Sequence, residues 1–278
     1  MATVRLTMSQ ALTRWMTAQS IEQLDGSIEP AFAGVWAIFG HGNVAGLGEA
    51  LYGVRDQLPT YRGHNEQSMA HIAIAYAKQK QRRRMMAVTT SIGPGATNLA
   101  TAAALAHVNR LPVLLLPGDV FATRAPDPVL QQVESFADGT VSANDCLRPI
   151  SRYFDRITRP EQLLQALPKA MSVLTDLADC GPVTLGLCQD VQAEAWDYPE
   201  SFFAPRVWHM RRISPDAAEL SRAIETLKSA KRPMIVAGGG VRYSGASQAL
   251  TAFADAAGIP VAATQAGKSS LVEAHPMY

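Results

Sequence analysis

An α/β fold, a parallel sheet with helices on both faces, is what this sequence predicts, and three observations predict it. Short continuous apolar runs such as "LPVLLL" (Leu111 to Leu116) are bounded by turn residues and are too short for buried helices. Segments of helical period lie between these runs rather than in a separate block. Glycine-rich turns follow two of the runs directly, after Phe39 and after Thr90. Strands that are apolar throughout belong in a sheet covered on both faces.

Taken in order, Ser9 is placed to cap a first helix that carries Leu12, Trp15 and Met16 on one side. "GVWAIF" (Gly34 to Phe39) reads as a short buried strand, "LPTYR" as a weaker one, and Gln67 to Lys80 as a helix. "MMAVTT" (Met85 to Thr90) is a strand that ends in the turn "SIGPGATN", and a small-residue helix leads from there to the strand at Leu111. After a long loop, a helix from Pro160 to about Ala178 and the strand "PVTLGL" complete a first domain over residues 1–191. Residues 192–214 combine aromatics with no clear period and read as a linker laid across a surface. From Pro215 onward a helix, the strand "PMIVAG", a glycine turn, a second helix and the strand "IPVAAT" form a second Rossmann-like unit over 215–278. So few elements bury a core with difficulty, so a central domain that is incomplete is expected, in a chain that is the N-terminal portion of a longer one.

Composition excludes several classes. The chain has 278 residues, 47% of them hydrophobic, and a net charge of +1, which leaves no electrostatic footprint for nucleic acid or an anionic membrane. The one basic cluster, "KQKQRRR" (Lys78 to Arg84), closes a predicted helix, where cations complement the macrodipole. No run of about 18 apolar residues exists and the N-terminus lacks the pattern of a secretory signal, so a cytoplasmic location is expected. Cys146, Cys180 and Cys188 form neither an even disulfide framework nor a CxxC pair.

Two glycine clusters carry candidate chemistry. Gly40, Gly42 and Ala45 have the spacing of a dinucleotide fingerprint, but no acidic residue ends the next strand, so a tight turn is the preferred reading, with His41 as a candidate site residue. "TTSIGPGATN" (Thr89 to Asn98) is another strand-to-helix turn without the Lys-Ser or Lys-Thr of a phosphate loop, so a ligand there is held by shape and backbone. Glu66 opens at the same edge of the sheet, at the head of a helix with hardly any polar face, "EQSMAHIAIAYAK". As a solvated helix-terminal charge it gains about 0.3–1 kcal/mol. In a mostly buried helix it would instead need one specific hydrogen-bond partner.

In this order and spacing, "NEQSMAHIAIAYAK", "TTSIGPGATNLATAAALAHVNRLPVLLLPGD", "GPVTLGL", "KRPMIVAGGGVRYSGASQAL" and "AGIPVAATQAGKSSL" resemble the thiamine diphosphate enzymes related to acetohydroxyacid synthase. The resemblance spans nearly the whole chain. "FGHGNVAGLGEAL", "RGHNEQ" and "PGDVFATRAPDPVLQQVESF" are similar to one branch, the trihydroxycyclohexanedione hydrolases of myo-inositol breakdown. The synthases usually show Pro-Gly-Gly where this chain has Gly40, His41 and Gly42, and His-Glu-Gln in place of Asn65, Glu66 and Gln67. Ile92 is a further departure from them.

The resemblance implies thiamine diphosphate and Mg2+ as cofactors. It assigns Glu66 the hydrogen bond to the cofactor's pyrimidine ring that favours the imino tautomer, places Ser91, Gly93, Pro94 and Gly95 against that ring, and points His41 and Gln132 at the substrate, with His41 also a candidate catalytic group. The diphosphate and metal ligands belong to a C-terminal domain with a Gly-Asp-Gly motif, and no "GDG" occurs here. The implied reaction is hydrolytic cleavage of a cyclic dione, with an acetolactate synthase-like carboligation as the alternative. A stand-alone binding module would instead bind its ligand tightly without a partner. A second copy of the chain is implied as partner, with the small-residue face of helix 96–107 as its contact surface. Some relatives bind FAD in the middle domain, but "AGGGVRYSGA" (Ala237 to Ala246) reads more simply as a strand-to-helix turn.

Overall fold

The computed structural model describes residues 2–135 and 137–278, so Met1 and Phe136, the last residue of the "PGDVFATRAPDPVLQQVESF" stretch, lie outside the described residues. The chain divides into two compact units, Met1–Met210 and Arg211–Tyr278. No helix among the described residues is long and apolar enough to cross a membrane.

In the first unit β1 (Thr3–Thr7) leads directly into α1 (Met8–Thr17). Thr7 caps α1: its hydroxyl accepts from the Gln10 N–H at 3.2 Å while its own N–H donates to Gln10 Oε1 at 3.0 Å. This reciprocal box satisfies two backbone donors at once. The helix therefore starts before the expected cap, and Ser9 is a fully buried residue inside it. β2 (Gln19–Glu22), β3 (Ile28–Pro30) and β4 (Phe32–Ala37) follow, then α2 (Gly40–Asn43), a π-helical turn (Val44–Gly48) and α3 (Glu49–Gly53). Next come β5 (Thr60–Arg62), α4 (Glu66–Gln79), β6 (Met85–Thr90), α5 (Pro94–Thr97), α6 (Ala100–Asn109) and β7 (Val113–Asp119). β8 (Tyr153–Ile157), α7 (Leu163–Leu174), β9 (Pro182–Cys188), β10 (Ala195–Pro199) and β11 (Arg206–Trp208) complete it.

Six strands form the central sheet in the order β5-β4-β6-β7-β9-β8, every neighbouring pair parallel. Every residue of β6, β7 and β9 is buried, as expected for strands covered on both faces. Met85, Ala87, Leu114 and Leu116 point to a core shared with α1 and α7. The intervening Met86, Val88, Val113 and Leu115 are buried on the other side, where α4 and α6 pack. Burying each such aliphatic side chain contributes about 1.5–3 kcal/mol.

Three expectations are corrected here. α4 is buried along one face only, through Met69, Ala70, Ala73, Ile74 and Ala77, while Ile72 stays 46% exposed. The alanines of α6 do not form an open surface either. Ala102, Ala103 and Ala106 are 0% exposed within the single chain, because small side chains let α6 lie close to α4 and the sheet; Leu105 and Val108 face outward instead. Residues 192–210 are also no linker. β10 pairs antiparallel with β1, and β11 joins β2 and β3 in a small sheet. The aromatics expected on the surface pack inside: Tyr198 is 0% exposed, donates its hydroxyl to the Pro160 carbonyl at 3.0 Å, and stacks on Phe202.

The basic cluster goes beyond the helix dipole. Arg82 donates to the carbonyls of Asn109 and Leu177, at the ends of α6 and just past α7, and Arg83 donates to the Glu22 carbonyl at 2.9 Å. The two guanidinium groups thus satisfy carbonyls left open at the end of α6, just past α7 and at the end of β2.

In the second unit α8 (Ala217–Ser229) is capped by Asp216, and β12 (Ile235–Ala237), α9 (Gly239–Tyr243), α10 (Ser247–Ala257) and β13 (Val261–Ala263) follow. β12 and β13 pair in parallel over a small core of Ala237, Ala254, Val261 and Leu271.

Candidate functional site

The strand order reverses at β4, which lies between β5 and β6, so a crevice opens beyond the carboxyl ends of β4 and β6. Open α/β sheets bind ligands at such a switch point. Both glycine turns project into it and touch. Gly40 has φ +54°, and a Cβ there would collide with the Ser91 side chain, so only glycine fits on both counts. Gly93 has φ +58°, and its Cβ would collide with the Gln131 carbonyl. Pro94 opens α5 from an exposed position. A Cβ on Gly95 would lie 3.3 Å from Glu66 Oε1 and 3.4 Å from Ser91 Cβ. The structure therefore gathers Glu66, Ser91, Gly93, Gly95 and the Gly40–His41 turn at one place.

Glu66 is the first residue of α4, yet it does not cap the helix. That role falls to Asn65, whose side-chain oxygen accepts from the Ser68 N–H at 2.8 Å. Glu66 is half-buried, and its Oε2 accepts a hydrogen bond from Asn98 Nδ2 at 2.8 Å. Its side chain makes no other hydrogen bond among the described residues, so Oε1 faces the space that Gly95 leaves open. A side chain at position 95 would press on that oxygen, so glycine there leaves Oε1 free to accept from the donor of a ligand.

His41 borders an open cleft of about 750 Å³ lined also by Phe39, Thr60, Arg62 and His64. Its Nε2 is shielded from solvent and has no partner among the described residues. A satisfied polar network holds the turn from beneath. Asn43 donates to Thr89 Oγ1 at 2.7 Å and to the Thr90 carbonyl at 2.9 Å. Gln192 donates to Asn43 Oδ1 at 2.8 Å and accepts from the Leu47 N–H at 3.2 Å. Fully paired buried networks of this kind rigidify what they carry.

Gln132 is not brought to this place. Its amide is spent within its own loop, accepting from the Val129 N–H at 3.0 Å and donating to Asp127 at 2.7 Å, and it lines a separate small cavity beside Arg124 and Arg156. The neighbouring Gln131 reaches the glycine turn, its carbonyl over Gly93 and its Oε1 accepting from the Ser91 hydroxyl at 3.1 Å. Sequence reasoning missed Gln131 and Asn98. Asn98 lay in the quoted turn, and the tandem glutamines gave no signal to choose between them.

The loop bearing Gln131 is fastened at both ends. At its start, Asp190 accepts from the N–H groups of Ala122 and Thr123 and from the Thr123 hydroxyl, at 2.8, 3.1 and 2.9 Å. Burial works to raise the Asp190 carboxyl, but these donors outweigh it and leave its pKa below the usual aspartate value. A carboxylate with a depressed folded pKa stabilises the fold above its unfolded pKa, and that contribution is lost as the pH falls through the folded value. The loop start should therefore loosen only below the ordinary aspartate range. Amide exchange at residues 121–124 against pH checks this, and Asp190→Asn should remove the acid-side step; a step that survives the substitution refutes the assignment.

The cysteines are not poised for chemistry. Burial pushes the Cys188 thiol up to about 12 and Cys180 up to about 11, and it raises Cys146 as well.

With this geometry in view, the comparisons with known proteins are specific. Residues 33–138 match the thiamine pyrophosphate enzyme N-terminal TPP binding domain, and residues 220–278 match the thiamine pyrophosphate enzyme central domain. The chain is 53% identical over 277 residues to a 3D-(3,5/4)-trihydroxycyclohexane-1,2-dione hydrolase of Geobacillus thermodenitrificans, covering 100% of this chain and 43% of that protein. It is 52% identical over 276 residues to hydrolase 1 of the same name from Bacillus cereus, and 51% identical to one from Bacillus thuringiensis, covering in each case 99% of this chain and 43% of the relative. The chain thus spans 43% of the length of these curated relatives. On the two matched domains and this identity, carried on a switch-point sheet with both glycine turns in place, the chain belongs to the thiamine pyrophosphate enzymes.

Proposed function

We propose that this chain supplies the pyrimidine side of a thiamine diphosphate site, in an enzyme that hydrolyses 3D-(3,5/4)-trihydroxycyclohexane-1,2-dione to 5-deoxy-D-glucuronate. The observation that carries the reading is the Glu66 carboxylate, one oxygen fixed by Asn98 and the other open over Gly95 at the switch point. Identity of 53% to a dione hydrolase supports the substrate. Thiamine diphosphate, when bound, supplies a carbon nucleophile and a sink for the electron pair released by carbon–carbon cleavage.

The residues of this chain orient and protect that chemistry. Glu66 would accept a hydrogen bond from the aminopyrimidine at Oε1, and the Ser91–Gly95 turn would set its backbone against the ring. His41, Arg62 and His64 line the cleft, and their N–H groups would meet the hydroxyls of the dione there. In the overall balance the bond between the two carbonyl carbons breaks, the oxygen of water joins one carbon as a carboxylate, and a proton joins the other to leave an aldehyde. The six-carbon skeleton stays in one piece because the broken bond lies in a ring. Mg2+ and the diphosphate are held by residues outside this chain. A second copy covers the outward face of α4 and α6, where Ile72, Leu105 and Val108 are 46%, 44% and 74% exposed.

Calorimetric titration with thiamine diphosphate and Mg2+ tests the reading, comparing this chain with a polypeptide extended to the length of its relatives. Binding and dione cleavage in the extended form alone are expected, with one acyclic acid as product. Tight binding by these residues alone, or a product joined to a second carbonyl compound, overturns it.

A further inference from the structure

We infer that Asn98 is the positioning residue of Glu66, and that Oε1 alone is the oxygen Glu66 offers to a ligand. A carboxylate only accepts, so the Asn98 amide must turn its NH2 group toward Glu66, whatever the amide's other face meets. The 2.8 Å separation is that of a charge-assisted hydrogen bond. Asn98 is itself held, since its N–H donates to the Pro94 carbonyl at 3.2 Å and the following Leu99 is 0% exposed. The same short turn therefore does two things to one carboxylate: Asn98 occupies Oε2, and Gly95 clears the space at Oε1. Helix capping does not explain the placement of Glu66, because Asn65 already performs it.

The inference rests on the reading of Glu66 as the ligand-facing carboxylate, and a double-mutant cycle separates the two. In the enzyme of full length with Mg2+, kcat and the calorimetric affinity for thiamine diphosphate are measured for Asn98→Ala, Glu66→Gln and the pair. If Asn98 acts through Glu66, Asn98→Ala alone lowers kcat about tenfold to a hundredfold, the range for losing a hydrogen bond to a charged group. Added to Glu66→Gln, it then causes no further fall in kcat, because the donor that fixes the amide's orientation acts only through residue 66 and coupled residues are not additive. Equal effects in both backgrounds mark a merely structural role and overturn the inference. Asn98→Asp, of the same shape but bearing acceptors only, should lose at least as much as Asn98→Ala; wild-type behaviour of that variant also overturns it. Should Glu66→Gln leave both kcat and affinity unchanged, the reading of Glu66 fails and the inference with it. Additivity with an active Glu66→Gln effect sinks the inference alone.

Discussion

Glu66→Gln is expected to lower the thiamine diphosphate-dependent activity of the assembled enzyme by about 10²- to 10⁴-fold, the range for removing a positioned acid–base group, and to lower the free energy of unfolding by no more than about 1 kcal/mol, the worth of a carboxylate in a first helical turn. The substitution keeps the shape and removes the charge. Asn98 presents a donor, so the new amide must turn its oxygen to Asn98. Its NH2 group then points over Gly95, where Oε1 stood and a ligand donor requires an acceptor. The defect is therefore two donors facing each other, which no small rotation repairs. Stability is spared because Glu66 neither caps α4 nor forms an ion pair among the described residues. Proton exchange at the cofactor's thiazolium carbon, followed in D2O by NMR on the assembled enzyme, is the direct measurement. Exchange as fast as in the unsubstituted enzyme would falsify the role.

What the sequence made legible was local. β6, β7 and β9 announce themselves because burial on both faces writes a continuous apolar run. The site turn at Ser91–Gly95 is legible because two glycines and a proline have few other uses between a strand and a helix. What stayed hidden depends on partners remote in the chain. β10 reads "AWDYP" and became a strand only by pairing with β1, almost the whole first unit away. β8, "YFDRI", is an edge strand whose half-buried residues carry no strong alternation. Glu66 and Asn98 meet only after the sheet has brought α4 beside the next turn. The alanines of α6 were legible as a contact face, but composition cannot say whether that face meets its own α4 or another chain. Gln131 and Gln132 differ only in which way the loop turns, and Gln131 has φ +65°, a conformation sequence gives little reason to expect of glutamine.

Asp119→Ala is expected to cost the most stability, about 3–5 kcal/mol, the loss when one partner of a buried ion pair is removed. Asp119 ends β7 with its side chain 0% exposed, and Arg156 of β8 grips it with two hydrogen bonds of 2.9 and 3.1 Å. The Ser142 hydroxyl donates to the same carboxylate at 3.0 Å, Asn144 Nδ2 at 3.1 Å and the Val120 N–H at 2.8 Å. Burial works against the charge of Arg156, yet the facing Asp119 carboxylate raises its pKa. Without Asp119 the guanidinium keeps its charge and loses its counter-ion, and three further donors lose their acceptor. Arg156→Met added to an apolar residue at 119 should recover part of the loss, because both desolvated charges are then gone. The substitution also reaches the site. Val120 and Ser142 bracket the loop that lays Gln131 against Ser91 and Gly93, so releasing them should speed amide exchange across residues 121–141 before global unfolding. Denaturant unfolding measures the first effect and hydrogen exchange the second. A loss below about 1 kcal/mol, within the range of exposed pairs, would show that Asp119 is not the anchor that joins the fold to the glycine turn.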